Sequence, residues 1–271
     1  MNRAEFHKFI WGWYKTHGRH DLPWRKKITP YRILVSEVML QQTQVSRVIP
    51  KYQAWIKRWP TFRALSQAEK RDVLAMWQGL GYNSRALRLW QLAALVSEHN
   101  GRLPKDRKAL EKLPGIGSYT SGAILAFAYN EPVAFIDTNI RRIFLHHFFP
   151  EQENVSDQVV LEKVLAMVPQ EKSREWYWAL MDYGAHLGVL LRAANPNRRS
   201  KSYAKQSRFV GSDREVRGAI LRTLLTQPKP KAQLQKSIEK ELGREIKNFD
   251  EILQSLITEE LVRKQGKNLA I

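Results

Sequence analysis

The chain has no cysteine in its 271 residues, which excludes disulfides, thiol catalysis and thiolate-held metal clusters together. Acidic side chains are sparse beside basic ones: 26 Asp and Glu stand against 45 Lys and Arg, a net charge of +19. No uninterrupted apolar run is long enough to span a bilayer, and Met1-Asn2-Arg3 does not open a signal-peptide pattern. The expectation is a cytoplasmic, nucleoid-associated, intracellular protein with no membrane attachment. The seven histidines lack metal-site spacing, and no repeat recurs at a solenoid period. What is present is 43% hydrophobic content, enough for real cores, and a large excess of cations. That excess favours nucleic acid as the partner, because each neutralised phosphate releases counterions.

Helical periodicity runs through residues 2–17, with Phe6, Phe9, Ile10 and Trp13 on one side, and through 46–58, 66–77, 84–99, 106–113, 118–129, 156–168 and 172–191. None of these segments alternates with period two, so the fold class is all-α. Leu22-Pro23-Trp24-Arg25 reads as a turn, and Thr29-Pro30 opens a helix with a good N-cap and a Pro suited to the first turn. On that helix Glu37 falls within the stripe formed by Ile33, Leu34, Val38 and Leu40. A desolvated glutamate has a raised pKa, which a general acid near neutral pH requires. The simpler alternative is a carboxylate at the stripe edge paired with Arg32 or Arg47. Gln41, Gln42, Thr43 and Gln44 follow, suiting either base edges or a solvated helix end.

The sequence Leu113-Pro114-Gly115-Ile116-Gly117-Ser118 is a tight turn between two helical patterns. Gly115 and Gly117 lack a Cβ and allow close backbone approach, while the helix beginning near Ser118 adds a positive end for a phosphate. An ordinary helix connection is the alternative. An apolar run then leads to Asp137, which either caps the next helix or carries chemistry. Arg192, Arg198, Arg199, Lys201, Lys205 and Arg208 form a basic linker at 192–211 without an acidic residue up to Arg208. Beyond it, helical patterns at 213–226, 231–242 and 249–260 and a hairpin around Gln265-Gly266-Lys267-Asn268 suggest a winged helix-turn-helix over 212–271, or a small packing module.

Taken in order, Leu22-Pro23-Trp24-Arg25, Ser36-Glu37-Val38-Met39-Leu40-Gln41-Gln42-Thr43-Gln44-Val45, Gly79-Leu80-Gly81-Tyr82, Leu113-Pro114-Gly115-Ile116-Gly117 and Asp137-Thr138-Asn139 resemble the helix-hairpin-helix DNA glycosylases of the endonuclease III superfamily. Within it the chain looks like the MutY-type adenine DNA glycosylases, over roughly residues 1–191. The resemblance implies a six-helix barrel at 25–135 and a second helical domain from 1–24 plus 136–191. It implies a monomer acting on double-stranded DNA that contains a mismatch, flipping and hydrolysing out adenine opposite 8-oxoguanine or guanine.

By the same resemblance Glu37 would donate a proton to the base, Asp137 would stay ionised beside the sugar, Asn139 would orient Asp137, and Tyr119 would hydrogen-bond near the reacting sugar. Trp24 and Arg25 would line the base pocket. Gln41, Gln42, Thr43, Tyr82, Leu113, Gly115, Ile116, Gly117, Ser118 and Arg141 would contact DNA, with Gln42 and Tyr82 as wedges. A structural Na or K ion could sit on the carbonyls of Leu113 and Ile116. Lyase relatives carry a lysine where Tyr119 stands, so the resemblance implies a monofunctional enzyme. Three departures are evident. The four cysteines of an iron–sulfur cluster are absent, the usual glycine after Asp137 is Thr138 and Asn83 follows Tyr82, and the tail replaces a nudix-like domain. The competing expectations are a thymine or uracil mismatch glycosylase and a non-catalytic DNA-binding regulator.

Overall fold

Short polar side chains set where many of the helices begin. In the computed structural model, which describes residues 1–204 and 208–271, Asn2 and Glu5 form a reciprocal cap on α1 (Arg3–His17). Lys205, expected in the basic linker, lies outside the described residues. The next helices are α2 (Pro23–Lys26), α3 (Pro30–Leu40), α4 (Val45–Arg58), α5 (Phe62–Ser66), α6 (Lys70–Trp77) and α7 (Ser84–Glu98). Then follow α8 (Arg107–Glu111), α9 (Ser118–Tyr129), α10 (Thr138–Phe148), α11 (Asp157–Met167) and α12 (Ser173–Leu190). After the linker come α13 (Asp213–Thr226), β1 (Lys229–Pro230), α14 (Lys231–Leu242), α15 (Phe249–Thr258), β2 (Arg263–Gln265) and β3 (Asn268–Ala270).

Two differences from the sequence reading have local causes. The helix expected at 66–77 starts later, as α6, with the Ala68 carbonyl before it taken by the Trp90 indole, and a short helix that the sequence reading passed over, α5, precedes it, capped by Thr61 at Ala64. The turn expected at 22–25 winds once as α2, with Pro23 in its first position. The fold is mostly helical. Its sheet is a small antiparallel one ordered β1-β3-β2, in which the expected hairpin pairs Lys264 with Leu269 and a two-residue strand, too short to read from sequence, adds β1.

The described chain forms two compact units: Met1–Glu37 with Leu103–Lys205, and Val38–Arg102 with Gln206–Ile271. This partition differs from the 25–135 barrel read from the sequence. In the first unit Phe6, Ile10 and Ile33 share one core with Ala123, Phe135, Phe144, Trp176 and Tyr177, so the N-terminal helix and the start of α3 are buried together with α9, α10 and α12. In the second, Tyr52, Trp55, Trp77, Leu89 and Leu92 are buried, with Trp55 and Trp77 edge-to-face at 5.5 Å. Here α13 packs beside α6: Arg71 donates to the carbonyls of Leu225 and Thr226, and the Lys70 ammonium to that of Glu260. The C-terminal helices and sheet are therefore part of a unit with 38–102 rather than a tail.

The basic segment after α12 is also tied down. Pro196–Arg199 makes one 3-10 turn, capped by Asn195. The buried Asn197 amide donates to the Thr138 carbonyl at 3.0 Å, and Arg199 donates to the Leu145 carbonyl at 2.7 Å. A short bridge joins Ser200 to Val155. Hydrogen bonds thus join this segment to both ends of α10. Truncating Asn197→Ala removes the buried hydrogen bond that ties this segment to the first turn of α10. This should cost about 1 kcal/mol in chemical denaturation, whereas an unchanged midpoint would show that the segment does not anchor the helix.

Candidate active site

The first unit builds a buried acidic pair. Glu37, three residues before the end of α3, is only 6% exposed. Its Oε2 accepts a hydrogen bond from the Tyr119 hydroxyl at 2.6 Å. Tyr119 lies in the first turn of α9 and packs edge-to-face on Phe135 at 5.7 Å, which in turn lies 4.1 Å from Tyr177. Neither Arg32 nor Arg47 is ion-paired with Glu37 among the described residues, so the surface-pair alternative falls away. Burial pushes the Glu37 carboxyl up to about 7; the Tyr119 hydrogen bond and the nearby Arg25 charge oppose the rise, and the nearby Asp137 charge reinforces it. The same burial, together with the Glu37 and Asp137 charges, holds the Tyr119 phenol well above its ordinary range.

Asp137 is the N-cap of α10 and is half-buried. Oδ1 accepts from the amides of Asn139 (2.9 Å) and Ile140 (2.8 Å), and Oδ2 from the Asn139 side chain at 3.0 Å. Burial raises its pKa, opposed by those two amides and by the charges of Arg142 and Arg141. The net direction is upward, which the helix end alone did not suggest. Even so, the two carboxyls differ in kind. Burial raises both, but Glu37 has one phenolic donor to oppose the rise, while Asp137 has three donors and two nearby cations. Asn139 is itself held: its Oδ1 accepts from Arg142, which also donates to the Gly184 carbonyl at 2.6 Å. A Cβ on Gly184 would sit 2.6 Å from the Asn139 carbonyl oxygen, so glycine lets α12 approach the start of α10.

Arg25 and Trp24 are buried. The Arg25 guanidinium makes two bonds to Asp182 (2.7 and 2.9 Å), donates to the Arg19 carbonyl, and lies 5.2 Å from the Trp178 ring centroid. Arg19 adds a second cation on Asp182. Burial pushes the Asp182 pKa up, but the Arg25 and Arg19 interactions outweigh it and hold the group below its usual value. Arg25, expected to line a pocket, is therefore first a structural partner of Asp182, a residue whose importance no local pattern announced. Arg141, expected on DNA, makes a two-pronged pair with Asp157 at 2.8 Å.

The turn between α8 and α9 has the expected tight form. Gly115 adopts φ +77, a region that favours glycine, and the Ile116 amide bonds the Leu113 carbonyl at 3.2 Å. Ile116 is buried, and Ser121 ties α9 to α8 by donating to Glu111. Gly117 is different: its backbone is ordinary and extended, and a Cβ there would meet nothing within 4 Å. The fold itself does not require that glycine. Gly117 and Ser118 are exposed at the start of α9.

In the second unit Gln42 and Tyr82 have φ +53 and +47, unfavourable for side chains of this size. One half-buried cation links their loops. Arg85, which the sequence reading passed over, donates to the carbonyls of Val38 (2.6 Å), Gln41 (2.7 Å), Leu80 (3.1 Å) and Gly81 (3.0 Å). Its guanidinium lies 5.6 Å from the Tyr82 ring centroid. Thr43 donates to the Gln41 and Leu80 carbonyls, closing the same junction.

Comparison with known proteins places this arrangement. Residues 35–170 match the family model of the HhH-GPD superfamily base excision DNA repair proteins. An adenine DNA glycosylase of Mycolicibacterium smegmatis is 38% identical over 243 residues, 82% of each chain. A thermostable thymine-DNA glycosylase superposes with a TM-score of 0.61 at 30% identity, covering 68% of this chain and 86% of its own. Endonuclease III in a non-covalent DNA complex superposes with 0.54 at 19% identity, over 70% and 86%, a likeness of fold.

A carboxyl whose folded pKa lies above its unfolded one stabilises the fold below about pH 4.5, and this contribution disappears as pH rises through about 7. Glu37→Gln removes the charge that must otherwise be buried. Its stability gain over wild type should be larger at pH 8 than at pH 5 in urea titrations. An equal difference at both pH values would mean that Glu37 is not desolvated.

Proposed function

The chain belongs to the HhH-GPD superfamily of base excision DNA repair proteins and, within it, to the adenine DNA glycosylases, and we propose that it hydrolyses out adenine mispaired with 8-oxoguanine or guanine without cutting the strand. The observation that carries this reading is the buried Glu37, whose carboxyl is pushed up to about 7, beside Asp137, whose oxygens accept from two backbone amides and the Asn139 side chain. In the proposed reaction Glu37 delivers its proton to the adenine ring as the bond from C1′ to the base breaks, so the base leaves neutral. Asp137 steadies the positive charge that develops on the sugar, and Asn139, clamped by Arg142, keeps the aspartate aligned. Water then adds to C1′, and its proton passes to a carboxylate. Tyr119 offers a phenol rather than an amine, so no Schiff base forms. Its bond to Glu37 tunes the acid.

Duplex binding in this reading sets the turn from Leu113 to Ser118 on a phosphate, with the amides of Gly115, Gly117 and Ser118 as donors, while the Leu113 and Ile116 amides bond backbone carbonyls. The bare Cα of Gly117, which the fold does not demand, supports such an approach. The Leu113 and Ile116 carbonyls are hard oxygen donors that would suit a monovalent cation, which would brace the turn. Gln42 and Tyr82, with Gln41 and Thr43 beside them, would enter the stack, and Trp24 would border the extruded base. The three helices and small sheet of the C-terminal segment support a winged-helix reading, with its cations on the DNA backbone. The absence of cysteine rules out a thiolate-bound iron–sulfur cluster.

Removal of thymine or uracil is the second reading, favoured by the 30% identity to a thymine-DNA glycosylase. Glu37 argues for adenine, because a purine leaves more readily once protonated. Duplexes with A, T, U or G opposite guanine and 8-oxoguanine should yield alkali-labile sites at adenine only, and Asp137→Asn should abolish them while preserving duplex binding. Release of pyrimidine alone, or turnover by Asp137→Asn within a few-fold of wild type, contradicts the assignment. The single-turnover rate should fall as pH rises through about 7. Tyr119→Phe removes a bond that lowers the Glu37 pKa and so should move that limb to higher pH; a shift to lower pH would show that the phenol does not tune Glu37.

A further inference from the structure

Tyr82 is held from the C-terminal segment. It is 37% exposed, and its backbone sits in the left-handed region. Its hydroxyl accepts a hydrogen bond from Arg214 Nη1 at 2.9 Å, and the Arg214 guanidinium carbon lies 5.6 Å from its ring centroid, the same distance as that of Arg85. The two cations reach the ring from different parts of the chain. Arg85 follows Tyr82 by three residues, whereas Arg214 comes from the first turn of α13, 132 residues away. Each contact is of the cation–π kind, which holds an aromatic ring without enclosing it.

The placement of Arg214 runs against local preference. A cation in the first turn of a helix faces the positive end of the helix dipole, although Arg214 also donates to the Arg208 carbonyl at 3.5 Å. Its neighbours offset the conflict. Asp213 accepts from the Asn248 side chain at 3.0 Å, and Glu215 accepts from the Gly211 amide at 2.9 Å and from Arg244 at 3.2 Å. These bonds fix the start of α13, and the Arg71 bonds fix its end on the same unit. Arg214 is thus presented to Tyr82 from a braced helix. A side chain reaching a strained, half-exposed aromatic is easier to explain as a device for that aromatic than as surface packing.

We propose that Arg214 is a positioning residue for base extrusion: it fixes the Tyr82 side chain in the orientation that enters the duplex, which makes the C-terminal segment part of the flipping apparatus. This inference rests on the reading of Tyr82 as an inserting residue. Arginine suits the task because its planar fork can bond the phenol and lie near its ring together, whereas lysine supplies only a point charge. A mere phosphate contact would be served by either.

The test is a double-mutant cycle on the full chain with Tyr82→Ala, Arg214→Ala, Arg214→Lys and the Tyr82→Ala/Arg214→Ala pair. The readouts are single-turnover adenine release at saturating enzyme and the fluorescence of 2-aminopurine at the target position in an Asp137→Asn background. Arg214→Ala should slow release by about tenfold and reduce the fluorescence rise. Arg214→Lys should restore duplex affinity but not release, and the pair should be no slower than Tyr82→Ala alone. Three results overturn the inference while leaving the wedge reading intact: Arg214→Ala within twofold of wild type, rescue of release by lysine, or additive losses in the pair. If Tyr82→Ala itself is harmless, the wedge reading fails and the inference falls with it. Circular dichroism of each variant separates these outcomes from misfolding.

Discussion

A carboxyl group kept out of water beside a second carboxyl is the constraint from which the active site follows. Burying Glu37 is unfavourable once it ionises, and its single phenolic donor does not cancel that penalty. The scaffold holds it there because Phe135, Tyr177 and the helices around them form one aromatic core that also fixes Tyr119. Two residues past Phe135 the chain reaches Asp137, whose cap on α10 supplies the donors that Glu37 lacks. In the proposed reaction these different environments would divide the roles of proton donor and anion between the two acids. The separation comes from burial and hydrogen bonding, not from residue type.

Holding Asp137 in place depends on α10, and α10 is secured without a metal cluster. Arg142 joins Asn139 to the Gly184 carbonyl, and Asn197 and Arg199 bond the two ends of the helix from the segment that follows α12. Cationic side chains recur in this structural role. Arg25 on Asp182, Arg142 on Asn139 and the Gly184 carbonyl, and Arg85 on backbone carbonyls of two loops are each donors of fixed planar geometry at a junction of segments distant in sequence. The +19 charge of the chain is therefore not all available to a polyanion.

Much of this was legible beforehand because it is local or ordered along the chain. Glu37 within an apolar stripe, the Pro-Gly-x-Gly turn and Asp137 before a helix are recognisable from a few neighbours each, and their order identified the family. The C-terminal helices and hairpin followed from periodicity and turn residues. What escaped was long-range. Asp182 is one acid in an aromatic helix until Arg25 is seen upon it, and Arg85 looks like a solvated cation until its carbonyl partners appear. Gly115 and Gly117 read alike in sequence, yet only the first has the backbone angle that favours glycine.

The account turns on the protonation state of one side chain. Carbon-13 NMR of protein labelled at the glutamate carboxyls, with Glu37→Gln used to assign the resonance, measures it directly. A Glu37 carboxyl that titrates at about 7 is the predicted result. A Glu37 signal that titrates in the ordinary glutamate range near 4.5 would contradict it, since the side chain would then hold no proton to give at neutral pH.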